Sequence, residues 1–99
     1  MFTIVRVLRG RGTADLFRER NSRSARRIPR ELWRIVQRKL KLLDAAGRLD
    51  DLAAPAGNRL ELLKGDQAGR HSIRVNDQYR ITFRWENGNG YEVRVQDYH

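Results

Sequence analysis

The stretch Asn58–His99, NRLELLKGDQAGRHSIRVNDQYRITFRWENGNGYEVRVQDYH, decides the fold. It divides into β-rich runs at Arg59–Leu63, His71–Val75, Tyr79–Trp85 and Tyr91–Tyr98. Asn76-Asp77 and Asn87-Gly88-Asn89-Gly90 supply turn chemistry between them. Strand side chains alternate between the two faces of a sheet. One face collects Leu60, Leu62, Ile73, Val75, Tyr79, Ile81, Phe83, Trp85, Tyr91, Val93 and Val95, and this is the expected core. The other collects Arg59, Glu61, Ser72, Arg74, Arg80, Thr82, Arg84, Glu92, Arg94, Gln96 and Tyr98, and leads to His99. So many arginines on one sheet surface suggest a polyanionic ligand.

Upstream of the sheet, Pro29 suits the first turn of a helix, where a missing N–H costs nothing. Leu32, Ile35, Val36, Leu40 and Leu43 follow helical spacing and form one apolar stripe, with Trp33 at its edge. Arg34, Arg38 and Lys41 fall on the opposite side, and Gly47 is a natural stop. Leu49 and Leu52 form a shorter apolar pair before Pro55 and Gly57 lead into the sheet. Nearer the start, Phe2–Val7 reads as a strand. Thr13 caps a short helix carrying Leu16 and Phe17. Asn21–Arg30, rich in Ser and Arg, has almost nothing to bury and reads as a mobile basic loop. The expected fold is α+β: an N-terminal strand and two helices packed on one face of an antiparallel sheet. The arginine face would then be left open to water.

Ninety-nine residues imply a single domain over 1–99 with a small core. The absence of cysteine excludes disulfides and thiolate metal sites. The sequence has no signal peptide pattern and no apolar run of membrane-spanning length, so a cytoplasmic protein is expected. The formal charge is +9, unevenly distributed. Residues 1–57 carry 14 basic and 6 acidic side chains, a net of +8; residues 58–99 carry 7 and 6, a net of +1. The general positive field therefore belongs to the helical half. Such a field favours nucleic acid or ribosome binding through counterion release.

His71 and His99 are the only histidines and have no ligand-spaced partner, so neither a metal nor another cofactor is expected. His71 has core-side parity and reads as structural. Metal-free RNA cleavage needs a group to remove the 2′-hydroxyl proton, a donor to the leaving 5′-oxygen, and cations on the phosphorane. Glu61 or His99 can move protons. Arg80 and Lys64 can stabilise developing charge, and Tyr98 can stack on a base. Arg59, Arg74, Arg84 and Arg94 are the remaining candidates for binding RNA phosphates.

Leu63-Lys64-Gly65-Asp66, Gly69, Ser72-Ile73-Arg74-Val75, Tyr79-Arg80-Ile81-Thr82-Phe83, Glu86-Asn87-Gly88 and the closing Asp97-Tyr98-His99 resemble the HigB toxins of the RelE/ParE superfamily. The resemblance covers nearly the whole chain and is strongest from Asn58 onward. It implies a RelE-like fold and a ribosome-dependent mRNA endonuclease, in which the 2′-oxygen attacks the adjacent phosphate. It also implies a HigA-type helix-turn-helix antitoxin as partner. Operator DNA would be contacted only through that antitoxin, and no membrane would be involved. The family's C-terminal active-site residues match Asp97, Tyr98 and His99. Its transition-state arginine matches Arg80, and its basic turn residue matches Lys64. Some HigB toxins carry a catalytic histidine where this chain has Glu61, whereas the related YoeB toxins use a glutamate base on the equivalent strand. By that likeness Glu61 is the base and His99 the acid. The competing functions are a ParE-like gyrase inhibitor of the same fold and a non-catalytic RNA-binding domain.

Overall fold

The computed structural model describes residues 28–53 and 56–97. The expected first strand, the helix after Thr13, most of the basic loop, Tyr98 and His99 lie outside the described residues.

A 3-10 turn, Arg30–Leu32, opens directly into helix α1, Trp33–Ala45. Pro29 stands immediately before the turn, where its fixed φ is tolerated. The stripe read from the spacing is the buried face: Leu32, Val36, Leu40 and Leu43 are buried, and Trp33 and Ile35 pack at its margin. Full burial of such a side chain contributes about 1.5–3 kcal/mol. Arg34, Arg38 and Lys41 are exposed on the far side. The helix stops as Ala46 turns extended, with Gly47 next in the chain. A second short turn, Leu49–Ala53, buries Leu52. Asp51 anchors it by accepting from the Gly47 and Arg48 amides.

Ile28 is the buried exception in Asn21–Arg30, which reads as a loop with almost nothing to bury. It is part of the core, and its carbonyl accepts the Trp33 indole N–H at 2.9 Å. An apolar residue ahead of the helix has closed over Trp33 instead of joining a solvated linker.

The sheet consists of β1 Glu61–Leu62, β2 His71–Arg74, β3 Tyr79–Glu86 and β4 Asn89–Asp97, antiparallel in that order. Asn87 and Gly88 join β3 to β4 with φ of 51° and 76°. These are the values of a two-residue hairpin turn matched to strand twist. Between β2 and β3, the Asn76 side chain accepts from the amides of Gln78 and Tyr79. Ile73, Val75, Ile81, Phe83 and Val93 meet the α1 stripe in one core.

Three expectations about the faces are corrected. Leu62 shares the Phe83 side through the register Leu62↔His71↔Phe83, yet it is 61% exposed, at the edge of the sheet formed by the described residues. Tyr91 is not in the core. Between the pairs Thr82↔Arg94 and Arg84↔Tyr91, β4 has one residue more than β3, and this bulge sends Tyr91 to the arginine face. The arginine face is not simply open to water either. Arg70, Ser72, Arg80 and Thr82 on it are all buried, because they hydrogen-bond to one another and to backbone.

Candidate active site on the arginine face

The register brings the candidates together. Glu61 pairs with Ser72, Ser72 with Thr82, and Thr82 with Arg94; beside them run Arg74, Arg80 and Gln96. Residues directly opposite on adjacent strands share a face, so these side chains form one surface.

Arg80 sits near its middle on an internal strand, with only 7% of its area exposed. Its Nε donates to Ser72 Oγ at 2.8 Å. Its Nη2 donates to the Arg59 carbonyl at 2.6 Å and lies 2.8 Å from Glu61 Oε1. Arg59 reaches this position with φ +46°, a left-handed conformation unusual for a residue with a side chain. The turn aims its carbonyl, rather than its guanidinium, at Arg80. The guanidinium plane of Arg80 is thereby fixed before any ligand arrives. Glu61 remains about half exposed, so its carboxylate is accessible from solvent.

A second buried arginine was missed in the sequence. Arg70 donates from Nη2 to Thr82 Oγ1 at 3.0 Å and to the Glu92 carbonyl at 2.7 Å. The Thr82 hydroxyl in turn donates to Gln96 Oε1 at 2.7 Å. This relay ties β2 to β4 across β3 and pins the bulge, where Glu92 takes φ +49°. Arg70 has the parity of Ser72 and Arg74 but lies one residue before the ladder, so an alternation argument begun at His71 passed over it.

Two further arginines of this face are already paired. Arg74 pairs with Asp77. Arg84 pairs with Glu86 and Glu92, and the hydrogen bonds it donates, first to Glu92 and then to Glu86, hold its pKa above the usual value. Arg94 Nε is buried and has no hydrogen-bond partner among the described residues. Lys64 is exposed immediately before the turn Gly65–Gln67, whose Gly65 takes φ +67°. Asp97 pairs in register with Tyr79, next to Gln96↔Arg80, so its side chain has the opposite parity to Arg80. It is exposed, and its Oδ2 accepts from Gln78 Nε2 at 3.0 Å.

His71 stacks on Phe83 with ring centroids 5.9 Å apart. Its Nδ1 is buried with no hydrogen-bond partner among the described residues, and burial lowers its pKa. That is the environment of a structural histidine. Among the described residues no group of His, Cys, Asp and Glu could hold a metal ion. None of the described helices is long and apolar enough to cross a membrane.

A basic helix over a four-stranded antiparallel sheet, with a preoriented arginine–carboxylate pair on the far face, is the layout expected of a small RelE-like toxin. Residues 13–99 match the family of RelE-like toxins of the type II toxin–antitoxin system HigB, and the chain belongs to that HigB-like toxin family. Among curated relatives, Toxin HigB-1 of Vibrio cholerae serotype O1 is 49% identical over 63 residues, covering 64% of this chain and 66% of that protein. Endoribonuclease HigB of Proteus vulgaris is 36% identical over 64 residues, covering 65% and 68%. An uncharacterised protein of Haemophilus influenzae is 41% identical over 61 residues, covering 62% of this chain and 60% of its own length.

Proposed function

We propose that this protein is the toxin of a type II pair and acts as a ribosome-dependent mRNA endonuclease. The observation that carries the reading is the Arg80–Glu61 pair: a buried, oriented cation beside an accessible carboxylate. The membership in the HigB-like family and the name of the Proteus relative point the same way.

In this reading Glu61 takes the 2′-hydroxyl proton and the 2′-oxygen attacks the adjacent phosphorus. Negative charge grows on the phosphorane, where Arg80 meets it at no reorganisation cost. The 5′-oxygen leaves and takes a proton from His99, giving a 2′,3′-cyclic phosphate and a 5′-hydroxyl. Tyr98 stacks on a base, Asp97 supports the C-terminal strand, and Lys64 reaches a neighbouring phosphate. Arg59, Arg74 and Arg94 add to the positive field, although Arg74 must exchange Asp77 for RNA. The ribosome supplies substrate geometry, a contribution that reaches many orders of magnitude. A HigA-type helix-turn-helix antitoxin neutralises the toxin and carries it to operator DNA. The proposed place of action is the cytoplasm.

The test is cleavage of a defined mRNA, free and in the ribosomal A site, with 5′ ends mapped. The expected result is 5′-hydroxyl ends on ribosome-bound mRNA and little cleavage of free mRNA. Equal rates on both overturn the ribosome dependence. DNA damage with intact mRNA on induction overturns the nuclease reading in favour of gyrase inhibition.

A further inference from the structure

The bulge in β4 creates a second feature on the arginine face. It sets Tyr91 directly opposite Arg84, on the same face. Tyr91 is half-buried and does not belong to the apolar core. Opposed residues on neighbouring strands hold their Cβ atoms about 5 Å apart, so Tyr91 and Arg84 leave the sheet side by side on this face. Arg84 is held in place: Nη1 donates to Glu92 Oε1 at 3.0 Å and Nη2 to Glu86 Oε1 at 2.6 Å. Its side chain is nevertheless 49% exposed.

The charges decide what such a pair can take. Glu86 and Glu92 both pair with Arg84, and Glu92 also stands 4.0 Å from Arg70 Nη1, so two carboxylates balance two guanidiniums. A phosphate here would find no uncompensated positive charge, whereas a neutral planar group needs none. Aromatic rings and guanidinium planes are the surfaces on which unpaired bases stack in single-stranded RNA recognition. Arg84 lies four residues along β3 from Arg80, ~13 Å at the strand rise, the span of a short single-stranded segment.

We propose that Tyr91 and Arg84 form a nucleobase subsite, in which an unpaired base near the phosphate held at Arg80 stacks on the Tyr91 ring. This rests on the RNA-cleaving reading of the same face. It assigns Arg84 to a base instead of a phosphate, and it gives the bulge at Glu92 a purpose: without the extra residue, Tyr91 would turn into the core.

Two measurements test it. In ribosome-programmed cleavage, Tyr91→Leu keeps apolar area but loses the π face, and Tyr91→Trp keeps the face. The Leu variant is expected to raise KM about tenfold with a small change in kcat, as loss of uniform binding does. The Trp variant should stay near wild type. Separately, single-stranded RNA carrying 5-bromouridine is irradiated with the wild-type protein, and the crosslinked peptide is sequenced. A crosslink at Tyr91 is expected. Crosslinks that avoid Tyr91, or a wild-type KM in Tyr91→Leu, overturn the subsite. If the wild-type protein cleaves no mRNA, the nuclease reading fails by itself, and the crosslink still decides whether Tyr91 holds a base. If Tyr91→Leu melts far below wild type, the crosslink again decides.

Discussion

Arg80 donates to Ser72, to the Arg59 carbonyl and to Glu61, so its orientation is set by three residues from two stretches of the chain. A lysine there keeps the charge but not the planar fork. Arg80→Lys and Arg80→Ala are both expected to lower kcat by about 10²–10³, the usual loss for one oriented transition-state donor. Ribosome affinity should change little. A loss of affinity with normal single-turnover rate would remove Arg80 from the chemistry. His71 makes a different prediction. Burial lowers its folded pKa, so the native state prefers the neutral ring. Its penalty is absent above the unfolded pKa of about 6.5 and grows as pH falls below that value, because the unfolded chain binds the proton more readily. His71→Phe, which keeps the stack on Phe83, should therefore lose less melting temperature than wild type between pH 7 and pH 5. Parallel melting curves would argue against it. Strand parity alone placed Glu61 and Arg80 on one face, and the side chains meet. It could not see Arg70, one residue outside the ladder, or Tyr91, because a bulge adds a residue that no alternation pattern displays.

At the scale of elements, helix α1 was the most legible part. Its apolar stripe obeys a period of 3.6 over several turns, and that pattern leaves one burial solution. Leu40 is fully buried at the centre of the stripe. Leu40→Ala should cost about 2–5 kcal/mol in denaturant unfolding, the range for a large-to-small core change. A cost below 1 kcal/mol would mean that the stripe is not the core. The β3–β4 turn was legible from Asn87-Gly88, where both residues take positive φ. A Cβ on Gly88 would meet the Gly47 carbonyl at 3.5 Å, an ordinary contact, so its cost is one of backbone conformation. Gly88→Ala should therefore destabilise by about 1–2 kcal/mol, leaving cleavage per folded molecule unchanged. Strand β1 was less legible. Its ladder is only two residues long, and Leu62 has inward parity yet stays exposed. Parity specifies a side of the sheet and not what covers it.

Across the whole molecule, two surfaces face opposite ways. Val36, Leu40 and Leu43 point from α1 into the sheet, so Arg34, Arg38 and Lys41 point away from it, and Arg80 lies on the sheet's far face. Arg34, Arg38 and Lys41 make the exposed face of α1 a positive surface. Its cations crowd one another. Lys39, bonded to the buried Asn58, has its pKa lowered first by burial and then by Arg38 and Arg74. Arg38, Lys39, Leu42 and Asn58 line a cleft there. An acidic partner would relieve that repulsion, so the proposed antitoxin should be steered to this side and leave Arg80 uncovered. The double variant Arg34→Glu with Arg38→Glu reverses two charges on the exposed face and leaves the core stripe untouched. Its association rate with the antitoxin should fall about tenfold or more at low ionic strength. The difference should shrink at 0.5 M salt, where the Debye length is only ~4–5 Å. Cleavage in the absence of antitoxin should fall much less than in Arg80→Ala, since the proposed reacting groups Glu61 and Arg80 lie on the other face. Stopped-flow association across a salt series separates the possibilities. A rate that matches wild type at every ionic strength would move the antitoxin to another surface. A rate reduced equally at all salt concentrations would mean that these arginines make short-range contacts and do not steer.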